Sequence, residues 1–346
     1  MITQQDMSYH PAAMAALTDA TTRHHWAETF FLPFAVPDLG LFGNAYILAR
    51  PGVGVTTSDI KIYQGLGRSR LDALYSDNQT QIPAPTEFRK FSLPTGLSID
   101  LSEGPDHYHV VYDGIDDTRF DLHAQAIMPA YDIHDPSMDP MARKTYEDRA
   151  AHSGYGAAYG GHYDQRVRIK GKLTVHGKKF EIDYIDCMDR SWGIRPERGM
   201  QPMAWLHAIF AEDYAFHGIW SMNYEGAADA QHHFAHGFVL DQGTVYGCTA
   251  GKIVVTRDGI WGAHYDISTT DERGHRTSLH RRTGSVRSVG ALWLRRRAQC
   301  HESPGLQHWP RRLWRGSGRL VLRHLSAPAR GREALNWSCH EFARRA

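Results

Sequence analysis

Residues 162–199 constrain the fold of this chain more than any other stretch. From Tyr163 to Val175 the apolar residues Val167, Ile169, Leu173 and Val175 fall on odd positions, and after His176-Gly177 the alternation resumes at Phe180, Ile182 and Tyr184. A repeat of two belongs to a strand, whose side chains alternate between faces, whereas a helix repeats every ~3.6 residues. Two such runs joined by a short glycine-containing turn make an antiparallel hairpin with one buried face. The second run leads into Met188-Asp189-Arg190-Ser191-Trp192-Gly193. An acid, a base, a hydroxyl and an indole at the end of a half-buried strand point to a site.

The rest of the chain carries the same signature in shorter pieces. His25–Phe31 is an aromatic, strand-like run expected to stop at Pro33 and Pro37, and 44–49, 60–64, 97–101, 107–112 and 119–127 follow as strands. Residues 66–85 read as a helical or irregular connection. Short strands at regular spacing indicate a barrel or sandwich and leave no room for βαβ units. Residues 128–161, rich in Pro, Asp and Gly, interrupt the pattern as an inter-domain connection. Strands are expected again at 204–210, 215–223, 233–240, 244–248, 252–257 and 261–269, with Asp258-Gly259 as a hairpin turn.

Composition excludes several classes of function. Cys187, Cys248, Cys300 and Cys339 lie far apart, without C-x-x-C spacing, which suits free thiols in a reducing compartment. The N-terminal stretch has neither a basic start nor a long apolar run, and no segment approaches the ~18 apolar residues of a membrane span. A cytoplasmic location is expected. The net charge of +1 hides an asymmetry: residues 279–346 hold 15 Arg, 3 Glu and no Lys, leaving 24 basic against 35 acidic residues before them. This tail also lacks Asp, Ile, Tyr and Met and shows neither strand nor helix period. Such usage suits GC-rich DNA read out of frame from near Thr277–Arg282, rather than a nucleic-acid arm. No nucleic-acid partner is expected, and the oligomeric state is left open.

The run Asp189-Arg190-Ser191-Trp192-Gly193, with Tyr163-Asp164-Gln165 upstream, resembles the carotenoid 1,2-hydratase (hydroxyneurosporene synthase) family and its AttH-like relatives, over about residues 24–278. The resemblance implies an all-β fold of two tandem lipocalin-like (calycin) antiparallel β-barrels. The chain then divides into an arm (1–23), a first β domain (24–135), a linker (136–161), a second β domain (162–278), left incomplete by the aberrant tail, and the tail itself (279–346). Hydratases of that family add water across isolated double bonds of acyclic carotenoids, and an aspartate in an Asp-x-x-Trp-Gly motif is the proposed proton donor. Asp189, Trp192 and Gly193 match this motif. Arg190 and Ser191 stand where the carotenoid enzymes more usually carry other polar residues, which leaves the substrate open.

Asp189 is thus the expected catalytic acid. Desolvation favours the neutral form of a carboxyl set beside an indole in an apolar barrel mouth. Such an acid can protonate an alkene, leaving a cation that aromatic faces stabilise and water captures. Spacing alone favours an ion pair of Asp189 with Arg190 or Arg195, or a cap at Gly193, and the family resemblance sets the catalytic reading beside it. Trp192 is a lid over the ligand or barrel-end packing, and Gln165 orients a water or pairs structurally. Tyr163, Trp205, His207, His217 and Trp220 are the expected substrate contacts. His107-x-His109 and His232-His233-x-x-His236 offer imidazoles, since alternate strand residues can share a metal. Neither has a third-ligand pattern, so no metal and no cofactor are expected. The activity expected is a cofactor-independent hydratase, dehydratase or isomerase of an apolar unsaturated molecule (terpenoid, carotenoid, steroid or aryl-alkene). The alternative is a non-catalytic carrier of an apolar ligand.

Overall fold

A computed structural model describes residues 1–17, 19, 23–65, 72–143, 159–196, 203–223, 225–227, 229–258 and 261–282, with the strand backbone of 292–294 and 318–325. The fold is all-β and lipocalin-like, with two curled antiparallel sheets, each a half-barrel. The first sheet is built from β1 (Trp26–Val36), β2 (Leu41–Arg50), β3 (Val55–Gln64), β4 (Tyr75–Pro83), β5 (Lys90–Ser92), β6 (Leu97–Asp100), β7 (His107–Asp113), β8 (Arg119–Ala126), β9 (Tyr131–Asp132), β10 (Gly161–Val175) and β11 (Lys178–Ile194). Its order is β4-β3-β2-β1-β11-β10-β8-β7-β6-β5, with β9 paired to β10. The second contains β12 (Met203–Ala211), β13 (Tyr214–Met222), β14 (His232–Asp241), β15 (Thr244–Asp258), β16 (Trp261–Asp271), β17 (Arg276–Arg282), β18 (Leu292–Leu294) and β19 (Gly318–Leu325), in the order β17-β16-β15-β14-β13-β12-β19-β18.

The long hairpin forms as expected, turning at His176 and Gly177, both at positive φ (48° and 78°). Its position differs from expectation. Instead of opening the second sheet, it lies in the middle of the first. β10 pairs with β8 from Val167↔Ala126 to Thr174↔Arg119, and β11 pairs with β1 from Trp26↔Ile194 to Phe31↔Asp189. Without the hairpin both β1 and β8 would be open edges, with a row of unpaired backbone groups on each.

Three other elements depart from the sequence reading. Within 66–85, residues 75–83 form a strand paired to β3, while 66–71 lie outside the described residues. Strand β1 runs through Pro33 to Val36. Its pairing with β11 ends at Phe31, so Pro33 has only β2 beside it, where a missing N–H is tolerated. In the tail, the backbone of β19 pairs with β12 from Met203↔Leu325 to Ile209↔Arg319. The rest of the frame-shift expectation falls outside the described residues.

The concave face of the first sheet buries Phe30, Phe34, Ile47, Ile62, Val110, Leu122, Val167, Ile182 and Met188 in one cluster. Residues 1–17 dock onto it. Met7 is fully buried in that cluster, and Arg190 donates to Asp6 O (2.7 Å) and Ser8 O (2.7 Å). The His10 ring stacks on Trp192 at 4.0 Å. The indole fits because its cross-strand neighbour is Gly161, where a Cβ would meet Trp192 at 2.0 Å.

Candidate functional site: a buried polar face between the sheets

Strand periodicity sorts the expected site residues onto two faces. On β11, Met188, Arg190 and Trp192 point into the first core, and Cys187, Asp189 and Ser191 point the other way. Asp189 and Trp192, three residues apart, therefore lie on opposite faces, and the acid is not packed beside the indole as expected. On β10 the register places Tyr163 opposite Arg190, Asp164 opposite Asp189, Gln165 opposite Met188 and Arg166 opposite Cys187. Tyr163 and Gln165 consequently belong to the interior network. The Tyr108 hydroxyl donates to Gln165 Oε1 (2.6 Å), Gln165 Nε2 donates to Met128 O (3.1 Å), and the Tyr163 hydroxyl lies 3.2 Å from that of Tyr108. Those bonds engage both ends of the Gln165 amide.

The opposite face of β10 and β11 meets β12, β13 and β14. Met203, Trp205, Ala215, Ile219, Phe238 and Leu240 from the second sheet pack with Cys187, Tyr131 and Tyr159 in a shared apolar cluster. Arg166 fastens the layers by donating to Glu212 O (2.7 Å) and Ala211 O (3.0 Å), and the Tyr131 hydroxyl donates to Gly237 O (2.9 Å).

Within this apolar layer sits a fully buried carboxylate, Asp164. Trp205 Nε1 donates to its Oδ1 (2.8 Å), and His162 Nε2 lies 2.9 Å from its Oδ2. His217 Nε2 also stands 2.9 Å from Oδ2, at ion-pair distance but without hydrogen-bond alignment. Burial opposes the charge on Asp164, yet His217 and His162 outweigh it and hold the carboxyl well below the usual carboxylate range. The Nδ1 atoms of His162 and His217 have no hydrogen-bond partner among the described residues. His207 is the cross-strand neighbour of His217, with ring centroids 5.7 Å apart. Cys187, His207 and His217 offer ligand atoms within 4.8 Å of one another, a set able to hold a soft or borderline metal ion. Burial pushes the Cys187 thiol well up, so a metal there would have to displace its proton.

From Asp164 a single row of paired residues crosses the sheet: Asp164, Asp189, Phe31, Tyr46 and Asp59, on β10, β11, β1, β2 and β3. All five are buried. Asp59 is ion-paired to buried Lys61 and accepts from Asn78 Nδ2 (2.9 Å). Arg195 reaches over the row, donating to the Tyr46 hydroxyl (3.3 Å) and to Ser191 Oγ (3.0 Å). The arrangement joins buried acids, imidazoles and aromatic faces, with the half-buried Arg195 guanidinium beside them.

The structure thus brings Asp189, Trp205, His207 and His217 to one face and leaves Tyr163, Gln165 and Trp192 on the other. Trp220 departs too, packing against Phe216 and Phe234 in the second sheet's own core. Sequence reasoning missed His162, Asp164, Tyr46, Asp59 and Lys61 as members. The available signal was alternation itself: these polar residues share one strand face, which a single sheet would turn to solvent.

The family described as "Domain of unknown function (DUF7064)" matches residues 15–309. No curated protein matches the chain in sequence. Solved structures similar in fold include CghA with Sch210972, at 13% identity over 79% of each chain and a TM-score of 0.50. A putative AttH from Nitrosomonas europaea is 10% identical over 86% of this chain and 91% of that one, with a TM-score of 0.51. Kievitone hydratase from Nectria haematococca is 11% identical over 75% and 76%, with a TM-score of 0.45.

Proposed function

The chain belongs to the DUF7064 family, and from its buried polar face we propose that it is a cofactor-independent hydratase, dehydratase or isomerase of a small unsaturated molecule. The observation that carries this reading is the position of Asp189, between the ionised, histidine-held Asp164 and the aromatic pair Phe31 and Tyr46. Asp189 gives its proton to one alkene carbon, forming a C–H bond and leaving a cation on the neighbouring carbon. Phe31 and Tyr46 face that cation, since an aromatic ring's negative face attracts positive charge. Water then attacks the cation and loses a proton to the Asp189 carboxylate, which restores the acid. Loss of a different C–H proton gives the isomerised alkene instead.

Arg195 selects a substrate with a carboxylate, phenolate or hydroxyl beside its apolar unsaturated part. CghA, whose crystal structure contains Sch210972, has the same fold, which supports a small-molecule occupant. The Asp189, Trp192 and Gly193 motif favours isoprenoid substrates of the carotenoid-hydratase kind. Incubation of the full chain with unsaturated terpenoid, steroid and aryl-alkene compounds in oxygen-18 water tests the proposal. Labelled product from the parent, absent with Asp189→Asn, is expected. Ligand retained by both proteins with no product from either would overturn it in favour of a carrier.

A further inference from the structure

On the same outer face of the first sheet, along β10 where Lys170 is exposed, β7 and β8 gather three histidines. His107 and His109 alternate on β7 with Tyr108 and Val110, so the imidazoles point outward while their neighbours enter the core. His109 pairs directly with His123 on β8, and Val111 pairs with Asp121, which puts Asp121 and His123 on the same outer face. The three rings stack, with centroids 4.1 Å apart for His109–His123 and 5.2 Å for His107–His123.

Their hydrogen-bonding follows one order. Glu103 Oε2 lies 3.4 Å from His107 Nδ1, and His107 Nε2 lies 3.2 Å from His123 Nδ1. If His107 carries its proton on Nδ1, its Nε2 accepts from His123 Nδ1–H. The lone pair of His123 Nε2 then faces Asp121 Oδ1, 3.8 Å away, so two acceptors confront each other. His109 Nε2 stands 2.7 Å from the same carboxylate oxygen. Ligand atoms of His109, Asp121 and His123 all fall within 4.8 Å of one another. Two acceptors set face to face repel unless a cation stands between them. Two imidazoles with one carboxylate suit zinc, whose ligand distances are ~2.0–2.2 Å. The Glu103–His107–His123 chain resembles the carboxylate and imidazole partners that fix a ligating histidine's tautomer from outside the metal's own ligands.

We propose that His109, Asp121 and His123 form a surface site for a divalent transition-metal ion of the zinc type, with His107 and Glu103 as positioning residues behind His123. The fourth position faces solvent and is open to water or to a ligand from another molecule. Of the adjacent lysines on β10, Lys170, the cross-strand neighbour of His123, turns to Asp183 at 3.7 Å, and Lys172 is the cross-strand neighbour of Asp121. The ion would bridge β7 and β8 and stabilise the edge half of the first sheet, since a ligand bound only by the folded state raises its stability.

Zinc titration of the untagged full chain by calorimetry, with thermal melting in parallel, tests the assignment. Expected are a single zinc ion per chain and a rise in Tm with added zinc, both lost in His123→Ala and His109→Ala. Glu103→Gln is expected to weaken zinc at least about tenfold, the effect typical of partners behind a ligand. A His207→Ala variant, which alters the buried Cys187 cluster, should keep the surface ion. Absence of zinc binding by the parent at neutral pH would overturn the proposal, as would binding unchanged in His123→Ala or lost only in His207→Ala. Turnover is read separately, so failure here leaves the hydratase reading standing.

Discussion

The two faces of the first sheet each bury an acid, and they treat it differently. On the concave face Glu28 accepts from Trp26 Nε1 (3.1 Å), His10 N (2.9 Å) and Arg190 Nη2 (3.0 Å). Burial opposes its charge, but His10 and Arg190 hold its carboxyl below the usual range. Arg190 in turn spends its donors on Asp6 O, Ser8 O, Thr29 O and Glu28. That network locks the N-terminal arm in place. On the inter-sheet face Asp164 stands against two imidazoles and the Trp205 indole N–H, and three of the imidazole nitrogens, His162 Nδ1 and both of His217, are without hydrogen bonds among the described residues. A permanent guanidinium anchors Glu28 beside one imidazole, whereas Asp164 has imidazoles and an indole N–H but no guanidinium.

The sharpest break between the faces is expected from Asp189→Asn. Loss of a general acid lowers turnover by about 10²–10⁴-fold, measured as the rate of labelled product, with the urea unfolding midpoint unchanged. Arg190→Met should do the reverse. It strands Glu28 and costs about 3–5 kcal/mol, as removal of one partner from a buried pair does. Urea unfolding reads that loss, and turnover per folded molecule stays at the parent level. Trp205→Phe removes one N–H from the Asp164 carboxylate and should cost about 1.5–3 kcal/mol, as for other hydrogen bonds to charged groups, read from the same curves.

Acid titration sharpens the comparison further. Glu28 and Asp164 both have carboxyls held below their ordinary values of 4.5 and 3.8. Each contributes stability that is fully present above its ordinary value and is lost as pH falls through the lower folded one. The parent should therefore lose stability progressively below pH 4.5, and Glu28→Gln and Asp164→Asn should each flatten that limb. An acid limb unchanged in both would show that other carboxylates control it. The smallest effect concerns the tail. Sequencing of the encoding DNA around Thr277–Arg282 is expected to show an insertion or deletion. An intact frame, with the same Arg-rich tail in relatives, would make β19 as written a genuine strand of the second sheet.

Much of the fold and part of the site are legible from residues alone. Strand period two places Asp189 and Trp192 on opposite faces, so the motif spacing itself argued against packing one on the other. The same rule groups Asp164 with Arg166 and Asp189 with Cys187. What alternation cannot supply is the partner strand. The hairpin's place between β1 and β8 depends on pairings across long separations, such as Trp26↔Ile194, that leave no local mark. The metal-type cluster at His109, Asp121 and His123 was half visible as His107-x-His109. Its remaining members come from β8, brought alongside only by the sheet.

From sequence alone came the all-β class, the turn at His176-Gly177, the long hairpin and the division of each strand into an apolar and a polar face. Tertiary structure alone decided that the polar face of β10 and β11 would be covered by β12, β13 and β14. The reason is physical: period two records that a strand has two faces, but whether the second meets water or another sheet depends on what stacks against it. Residues that would be ordinary solvent-facing polar groups on a single sheet, His162, Asp164 and Asp189, become a desolvated acid–imidazole array once a second layer closes over them.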